Sequence, residues 1–288
     1  MKLKGRCNKP DHLMKFFQGL SKIGSMWRML VSSRVVDFQL VDQASAGVKC
    51  HSRVSCHYLF SMMEVRSRTG NYIGVKVNVH TLLAALQSGK GTVTEIMLGT
   101  ETVTQQTVLR VMVKTANDTV MQEVPCSLMQ TNQFPQCKMP EMPMSDIRMF
   151  LAQSDSSNDI PKAIGVALGA LMKLSQEVEV EVEVFNATEG GEEEDSISLT
   201  LKSACPVCTM QCGWSNLSPA ICDDGDTVLP GKEICTVSAQ HLRQAILSCE
   251  QVSPTDTVFN VLRNGTIYIE QYLTSSGDSL MFIVPAIN

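Results

Sequence analysis

The sequence contains no run of the ~18 apolar residues that a membrane-crossing helix needs, so nothing in it is expected to span a bilayer. Its opening, MKLKGRCNKPDH, carries charges but no apolar centre, which argues against a secretory signal there. An intracellular protein is the expectation, and with it free thiols rather than disulfides. Catalytic signatures are missing as well. No Gly-x-Ser-x-Gly elbow occurs, and none of the five histidines (His12, His51, His57, His80, His241) stands in a known cysteine-protease context. GKGT at 89–92 lacks the spacing of a phosphate loop, so no ATPase activity is expected. A net charge of −5 removes any global attraction to nucleic acid. It leaves room for a local basic patch, because distribution decides binding.

What is present is core material. The 288 residues are 44% apolar, enough for a packed core and too apolar for disorder. Four segments read as helices. The first is 11–24, with Asp11 as N-cap and Leu13, Phe17, Leu20 and Gly24 as its apolar stripe. The second is 80–89, stopped by Gly89. The third is 159–174, with Asp159 as cap and Pro161 in the first turn. The fourth is 238–249, with Ser238 as N-cap and Leu242, Ala245, Ile246 and Cys249 facing the core. Nearly all else alternates as short strands: 27–33 and 35–41 as a hairpin around Arg34, then 72–79, 93–99, 107–113, 119–125, 177–184, 196–202, 205–214, 257–263 and 266–272. Asn264–Gly265 signals a further hairpin. In the last segment, SLMFIVPAIN at 279–288, Leu280, Phe282 and Val284 sit two apart, so this strand is expected inside a sheet rather than frayed.

Short strands with few helices predict an α+β fold with large antiparallel sheets. The order also repeats. The first and third helices, and the second and fourth, are offset by about 150 residues, which predicts two copies of one domain plan. The copies would span 1–129 and 144–288. Between them QTNQFPQCKMPEMP, 130–143, has Pro135, Pro140 and Pro143 and no apolar period, and reads as an interdomain linker.

Cys205, Cys208, Cys212 and Cys222 form C-x2-C-x3-C-x9-C. That spacing does not match a zinc ribbon or finger. The segment reads as a strand on which Cys208, Met210 and Cys212 share a face, so core or interface cysteine is expected and no metal or cofactor. A zinc- or thiol-dependent enzyme using these cysteines is the alternative from a different class. Glu177, Glu179, Glu181 and Glu183 alternate with Val178, Val180, Val182 and Val184, a solvated face over a buried one. EGGEEED at 189–195 reads as an exposed turn. The cations are more suggestive. Lys15 and Lys22 share one helix face, Lys162 and Lys173 share another, and Lys90 and Arg243 lie at the other two helices. They are either ordinary surface lysines or one basic surface for phosphates, and the pattern alone leaves both open.

Two copies of a helix-poor β domain, a proline-rich linker and a terminal apolar strand with a Pro-Ala step resemble the DNA sliding clamps. More narrowly, the chain resembles the Hus subunit of the nine-one-one checkpoint clamp. The stretch VSPTDTVFNVLRNGTIYIEQYLTSSGDSLMFIVPAIN, 252–288, carries most of the likeness. VHTLLAAL (79–86), TVMQEVPCSLM (119–129), FQLVDQASAG (38–47) and the opening MKLKGR add to it. The lack of a tail after Asn288 fits this subunit better than its tailed clamp partner.

The resemblance implies a non-enzymatic ring subunit in the nucleus, assembled with two other clamp-like subunits. Such a ring encircles double-stranded DNA without reading sequence, is opened by an ATP-dependent clamp loader, and serves as a platform for checkpoint and repair proteins. A homotrimeric replicative clamp is the alternative in the same class. The helices of a clamp face its central hole, which makes Lys15, Lys22, Lys90, Lys162, Lys173 and Arg243 the expected DNA-facing residues. Clamp subunits join by strand pairing. Strand order puts the edges at 107–113, with Leu109, Val111 and Val113, and at 205–214, with Val207, Thr209 and Gln211. The clamp linker flanks the groove for client peptides, so Phe134, Met139 and Met142 are expected there, and replicative clients are not. With two edges open, the isolated chain is expected to express poorly.

Overall fold

The computed structural model describes the chain except residues 8, 42–46, 89–91, 116–117, 142–146, 154–158, 190–191, 221–230, 249–252 and 288, together with the side chains of 186–195. The first half runs β1 (Lys2–Arg6), α1 (Pro10–Ile23), β2 (Met26–Val31), β3 (Val35–Leu40), β4 (Lys49–Ser55), the short α2 (Cys56–Leu59), β5 (Met62–Arg66), β6 (Ile73–Asn78), α3 (Val79–Gln87), β7 (Thr92–Thr100), β8 (Thr107–Lys114) and β9 (Thr119–Leu128). A 3-10 turn (Thr131–Gln133) and α4 (Phe134–Cys137) follow. The second half runs β10 (Ile147–Ala152), α5 (Ile160–Leu171), β11 (Glu177–Glu189), β12 (Glu192–Cys205), β13 (Cys208–Leu217), β14 (Gly231–Ser238), α6 (Ala239–Leu247), β15 (Asp256–Val261), β16 (Ile267–Tyr272) and β17 (Ser279–Val284). The α+β expectation holds, with every strand pairing antiparallel.

Local chemistry explains the helix limits. Asp159 accepts from the Lys162 N–H and Ser238 from the His241 N–H, so both act as N-caps, as expected. Asn78 caps α3 in the same way. Asp11 does not cap α1. Lys9 holds that position, Pro10 opens the helix, and Asp11 lies in the first turn, where its charge favours the positive helix end. The α1 stripe is wider than the spacing of Leu13, Phe17 and Leu20 suggests. Phe16 and Ile23 are buried too, and Gly24 lies beyond the helix in extended backbone. Gly89 and Cys249 lie outside the described residues.

The strands form one sheet of thirteen and one of four. Their orders show the internal repeat. In the first half β4-β3-β2-β6 lie side by side, and in the second half β13-β12-β11-β14 do. Likewise β9-β8-β7-β1 is matched by β17-β16-β15-β10. The halves join where β17 pairs with β4, from Ser279↔Arg53 to Ile283↔Lys49. The last strand is therefore held on both sides, by β16 and β4, and Leu280, Phe282 and Val284 are buried. Gly265, at φ +77°, makes the β15–β16 turn that Asn264–Gly265 signalled. In β11 the four valines are buried and the glutamates lie outward, where Glu181 pairs with Lys202 and Lys232. The 189–195 segment is not all turn: Glu189 ends β11 and β12 begins at Glu192.

Candidate nucleic-acid interface and subunit edges

The four long helices gather into one layer. α1 packs on α3, α5 packs on α6, and α1 touches α6 across the halves. Two glycines of α5 allow the α5–α6 approach. A Cβ on Gly165 would stand 2.6 Å from Leu247 Cδ2, and Gly169 lies under the Arg243 guanidinium. Arg243 Nε donates to the Gly165 carbonyl at 2.9 Å, which anchors the charge over the α5–α6 seam. Lys22 of α1 and Arg243 of α6 line one cleft with Gln244, Leu247 and Ser248. Sequence-distant cations are thus brought together.

Lys15 and Lys22 are exposed on the side of α1 opposite its buried stripe. Lys162 is exposed in the first turn of α5, with Asp159 at 3.9 Å. Lys173 does not share a helix face with Lys162. α5 ends at Leu171, and Lys173 is exposed in the turn that follows. Lys90 lies outside the described residues. Within the four long helices the described charges are Lys15, Lys22, Lys162 and Arg243 against the single acid Asp11. The half-buried imidazoles of His12 and His241 are shifted down, mainly by burial, so near neutral pH the positive charge there is lysine and arginine. Among the described residues no helix is long and apolar enough to cross a membrane.

The edges differ from the strand-order expectation in one half and match it in the other. β8 is not an edge. It pairs with β7 on one side and β9 on the other, and Leu109, Val111 and Val113 are buried core residues. The open strand is β9, whose residues 119–125 pair with β8 alone among the described residues and expose Val120 and Met121. Pro125 was the sequence signal, because proline within a strand marks an edge. β13 is an edge of the four-stranded sheet, as expected, and exposes Thr209 and Gln211. Val207 is not in it. Cys205 closes β12, and Pro206 and Val207 form a two-residue turn.

The 130–137 part of the linker is not extended. It coils into the 3-10 turn and α4, which lies on β2 and β3. Phe134 is half-buried over Gly74, where a Cβ would come within 2.7 Å of its ring. Half-buried Met139 Sδ receives a contact from Ser279 Oγ at 3.7 Å. Both residues therefore pin the linker to the sheet. Met142 lies outside the described residues. Beneath lie polar groups: Arg28 donates to Gln39 at 2.8 Å, and His51 and Asp37 are buried. Burial shifts His51 down to about 4, although its hydrogen bond to the Lys138 backbone acts the other way.

Among the described residues no three histidine, cysteine or carboxylate side chains gather as metal ligands. Cys222 lies outside them. Cys205 and Cys208 come close, with Sγ atoms 3.5 Å apart.

The model of the Hus1-like protein family matches residues 1–288. The chain belongs to the Hus1-like family. Among solved structures it is similar to PCNA from Thermococcus kodakaraensis, at 12% identity and a TM-score of 0.67, over 99% of this chain and 100% of that one. At that identity the likeness shows the clamp fold. No curated protein matches the chain in sequence. Membership of the Hus1-like family makes the chain a subunit of the nine-one-one checkpoint clamp, a DNA sliding clamp of damage signalling and repair. Clamps of this kind are non-catalytic scaffolds that form rings with other clamp subunits around DNA.

Proposed function

We propose that this Hus1-like chain closes a nuclear ring with two other clamp-like subunits by pairing the free edges of β9 and β13 with theirs. One observation carries the reading. By the internal repeat, β17 corresponds to β9 and β4 to β13. β17 and β4 are already paired with each other inside the chain. Among the described residues β9 and β13 are the same two surfaces left without that partner, and an unpaired apolar edge invites a strand. A neighbour that repeats the β17–β4 joint would satisfy both.

The repeats, 1–129 and 144–288 on either side of the 130–143 linker, then set the helices on the inner side of the ring. Lys15, Lys22, Lys162, Lys173 and Arg243 meet the phosphates of double-stranded DNA there, with Lys90 assigned to the same surface from the sequence. Cations that touch phosphates without base contacts hold the duplex and let it slide. The chain lacks a phosphate loop, so opening the ring falls to an ATP-dependent loader. Checkpoint and repair proteins dock on the outside at the linker around Phe134, Met139 and Met142, and no reaction is assigned to the chain itself.

The test has two parts. Purification at native abundance with mass spectrometry should bring two clamp-sized chains in equal amounts. The loaded complex should stay on closed circular duplex at a salt concentration where it leaves the same DNA after linearisation. A chain that comes alone or as a self-trimer, or equal release from circle and line, overturns the reading.

A further inference from the structure

We propose that Cys205 and Cys208 form a thiol–disulfide exchange site, a surface dithiol that a small disulfide of the glutathione type closes into an intramolecular disulfide at the tip of the β12–β13 hairpin. The geometry is built for it. Cys205 and Cys208 face each other across the ladder. Opposed residues of an antiparallel pair have Cα atoms about 4.5–5.5 Å apart, within the span of a disulfide. Pro206 fixes one backbone angle of the two-residue turn and so limits how far the pair can drift. The sulfurs already stand 3.5 Å apart, so closing to about 2.05 Å needs side-chain rotation rather than backbone movement. The tip is open to solvent: Cys208 is exposed, Cys205 half-exposed, and Val207 between them 91% exposed.

The two thiols are not equivalent. The backbone N–H groups of Val207 and Cys208 and the Cys208 thiol lie against Cys205 and lower it from its ordinary value, with the Val207 N–H first. Cys208 is raised, chiefly by its contact with Cys205. Cys205 is therefore the attacking thiol and Cys208 the resolving one. Other thiols are the opposite case. Burial pushes Cys56 up to about 12, and Cys126, Cys137 and Cys235 up to about 11.

The exchange balances as follows. Cys205 thiolate attacks one sulfur of the small disulfide, forming a mixed disulfide and releasing one thiolate, which takes up the proton Cys205 gave to solvent. Cys208 then loses its proton and attacks Cys205 Sγ, and the second thiolate leaves and is protonated. Two protein thiols are oxidised to one disulfide, and one small disulfide is reduced to two thiols. Closure ties the first residue of β13 to the last of β12, at one end of the strand offered to a neighbour. That consequence rests on the ring reading.

The test equilibrates the full chain in glutathione buffers of graded redox poise, blocks free thiols by alkylation and maps sulfur by peptide mass spectrometry. In the wild-type chain Cys205 and Cys208 should lose alkylation together and appear as one 205–208 disulfide, with little glutathione adduct. Cys208→Ser should instead accumulate the adduct at Cys205, and Cys205→Ser should react roughly tenfold or more slowly at Cys208. Cys212→Ser should close as the wild type does. Separate adducts on both residues, thiols that stay free across the series, or a 205–212 bond overturns the proposal. The wild-type titration decides this even where a variant folds poorly. It reads sulfur chemistry and not assembly, so its failure would leave the ring reading standing, and a failed ring would leave a closing dithiol intact.

Discussion

Gln211→Pro separates the joining of subunits from the folding of one. The β12–β13 turn has two residues, so Cys205 and Cys208 form the hydrogen-bonded pair that closes the hairpin. Alternation from there points the backbone N–H of Met210 toward β12 and those of Thr209 and Gln211 outward, to the open edge. Proline at 211 removes an N–H that has no strand partner among the described residues, so the melting temperature should stay close to wild type. In the ring the same change deletes one ladder hydrogen bond, worth about 0.5–1.5 kcal/mol, and sets a pyrrolidine ring against the incoming strand. With the leftover carbonyl of the neighbour unpaired, a total of about 2–3 kcal/mol is expected, roughly 30- to 150-fold in subunit affinity. Sedimentation equilibrium with the companion subunits measures that loss. Met210→Pro is the parity control, because its N–H faces β12, and it should lower the stability of the chain itself. Wild-type assembly by Gln211→Pro, or melting of both variants to the same degree, would refute both the edge assignment and the outward parity.

The helix-layer cations, the helix seam and the buried histidine give further expectations. Lys22→Ala and Arg243→Ala, each in the assembled ring, should lower the salt dependence of DNA retention by about 0.9 in slope for each phosphate no longer neutralised, without altering sequence preference. Gly165→Ala pushes a methyl into Leu247 and should cost about 1–3 kcal/mol in denaturant unfolding. His51 is 7% exposed and burial holds it at about 4, below the 6.5 of an unfolded imidazole. Between those values the unfolded chain binds the extra proton. Its contribution is therefore fully present above about pH 6.5 and lost as pH falls to about 4, roughly 3 kcal/mol in all. His51→Gln should flatten that part of the stability curve, and an unchanged slope would show that His51 is solvated.

How much of this was legible depended on which forces act locally. The helices announced themselves because stripe and cap lie within a few residues, as in Asp159 with Lys162 and Ser238 with His241. The β11 valines and the terminal Leu280, Phe282 and Val284 alternate cleanly, so their buried faces could be read directly. β4 escaped, because KCHSRVS places polar His51 and Arg53 on the face toward the linker and offers no plain alternation. β8 was misplaced at the edge for a related reason. Leu109, Val111 and Val113 show one apolar face, and an apolar face says nothing about whether both backbone edges are paired. Pairing is a property of order in the sheet, which the repeat and Pro125 encode and periodicity does not. Lys173 failed on length, since the helix stops at Leu171.

In the proposed ring the same repeat lets an acidic chain hold DNA. Each half places its two long helices in one layer and presents outward sheet faces elsewhere, so charge can be sorted by layer. Acids sit on the sheets, where Glu64 meets Lys2, Glu95 meets Lys4, Glu123 meets Arg110 and Glu181 meets Lys202 and Lys232. Among the described residues the four long helices hold one, Asp11. Exposed pairs of this kind are screened by water and add little to stability, so holding the sheets together cannot be their main effect. They do let the sheets carry many acids while remaining locally neutral. Inside a ring about 10 Å of salt solution screens one wall from the next. In the proposed ring the helix-layer cations therefore act on a duplex close to them, and the net charge of −5 opposes that approach only weakly. Sorting charge by layer rather than by total is what the fold contributes to binding.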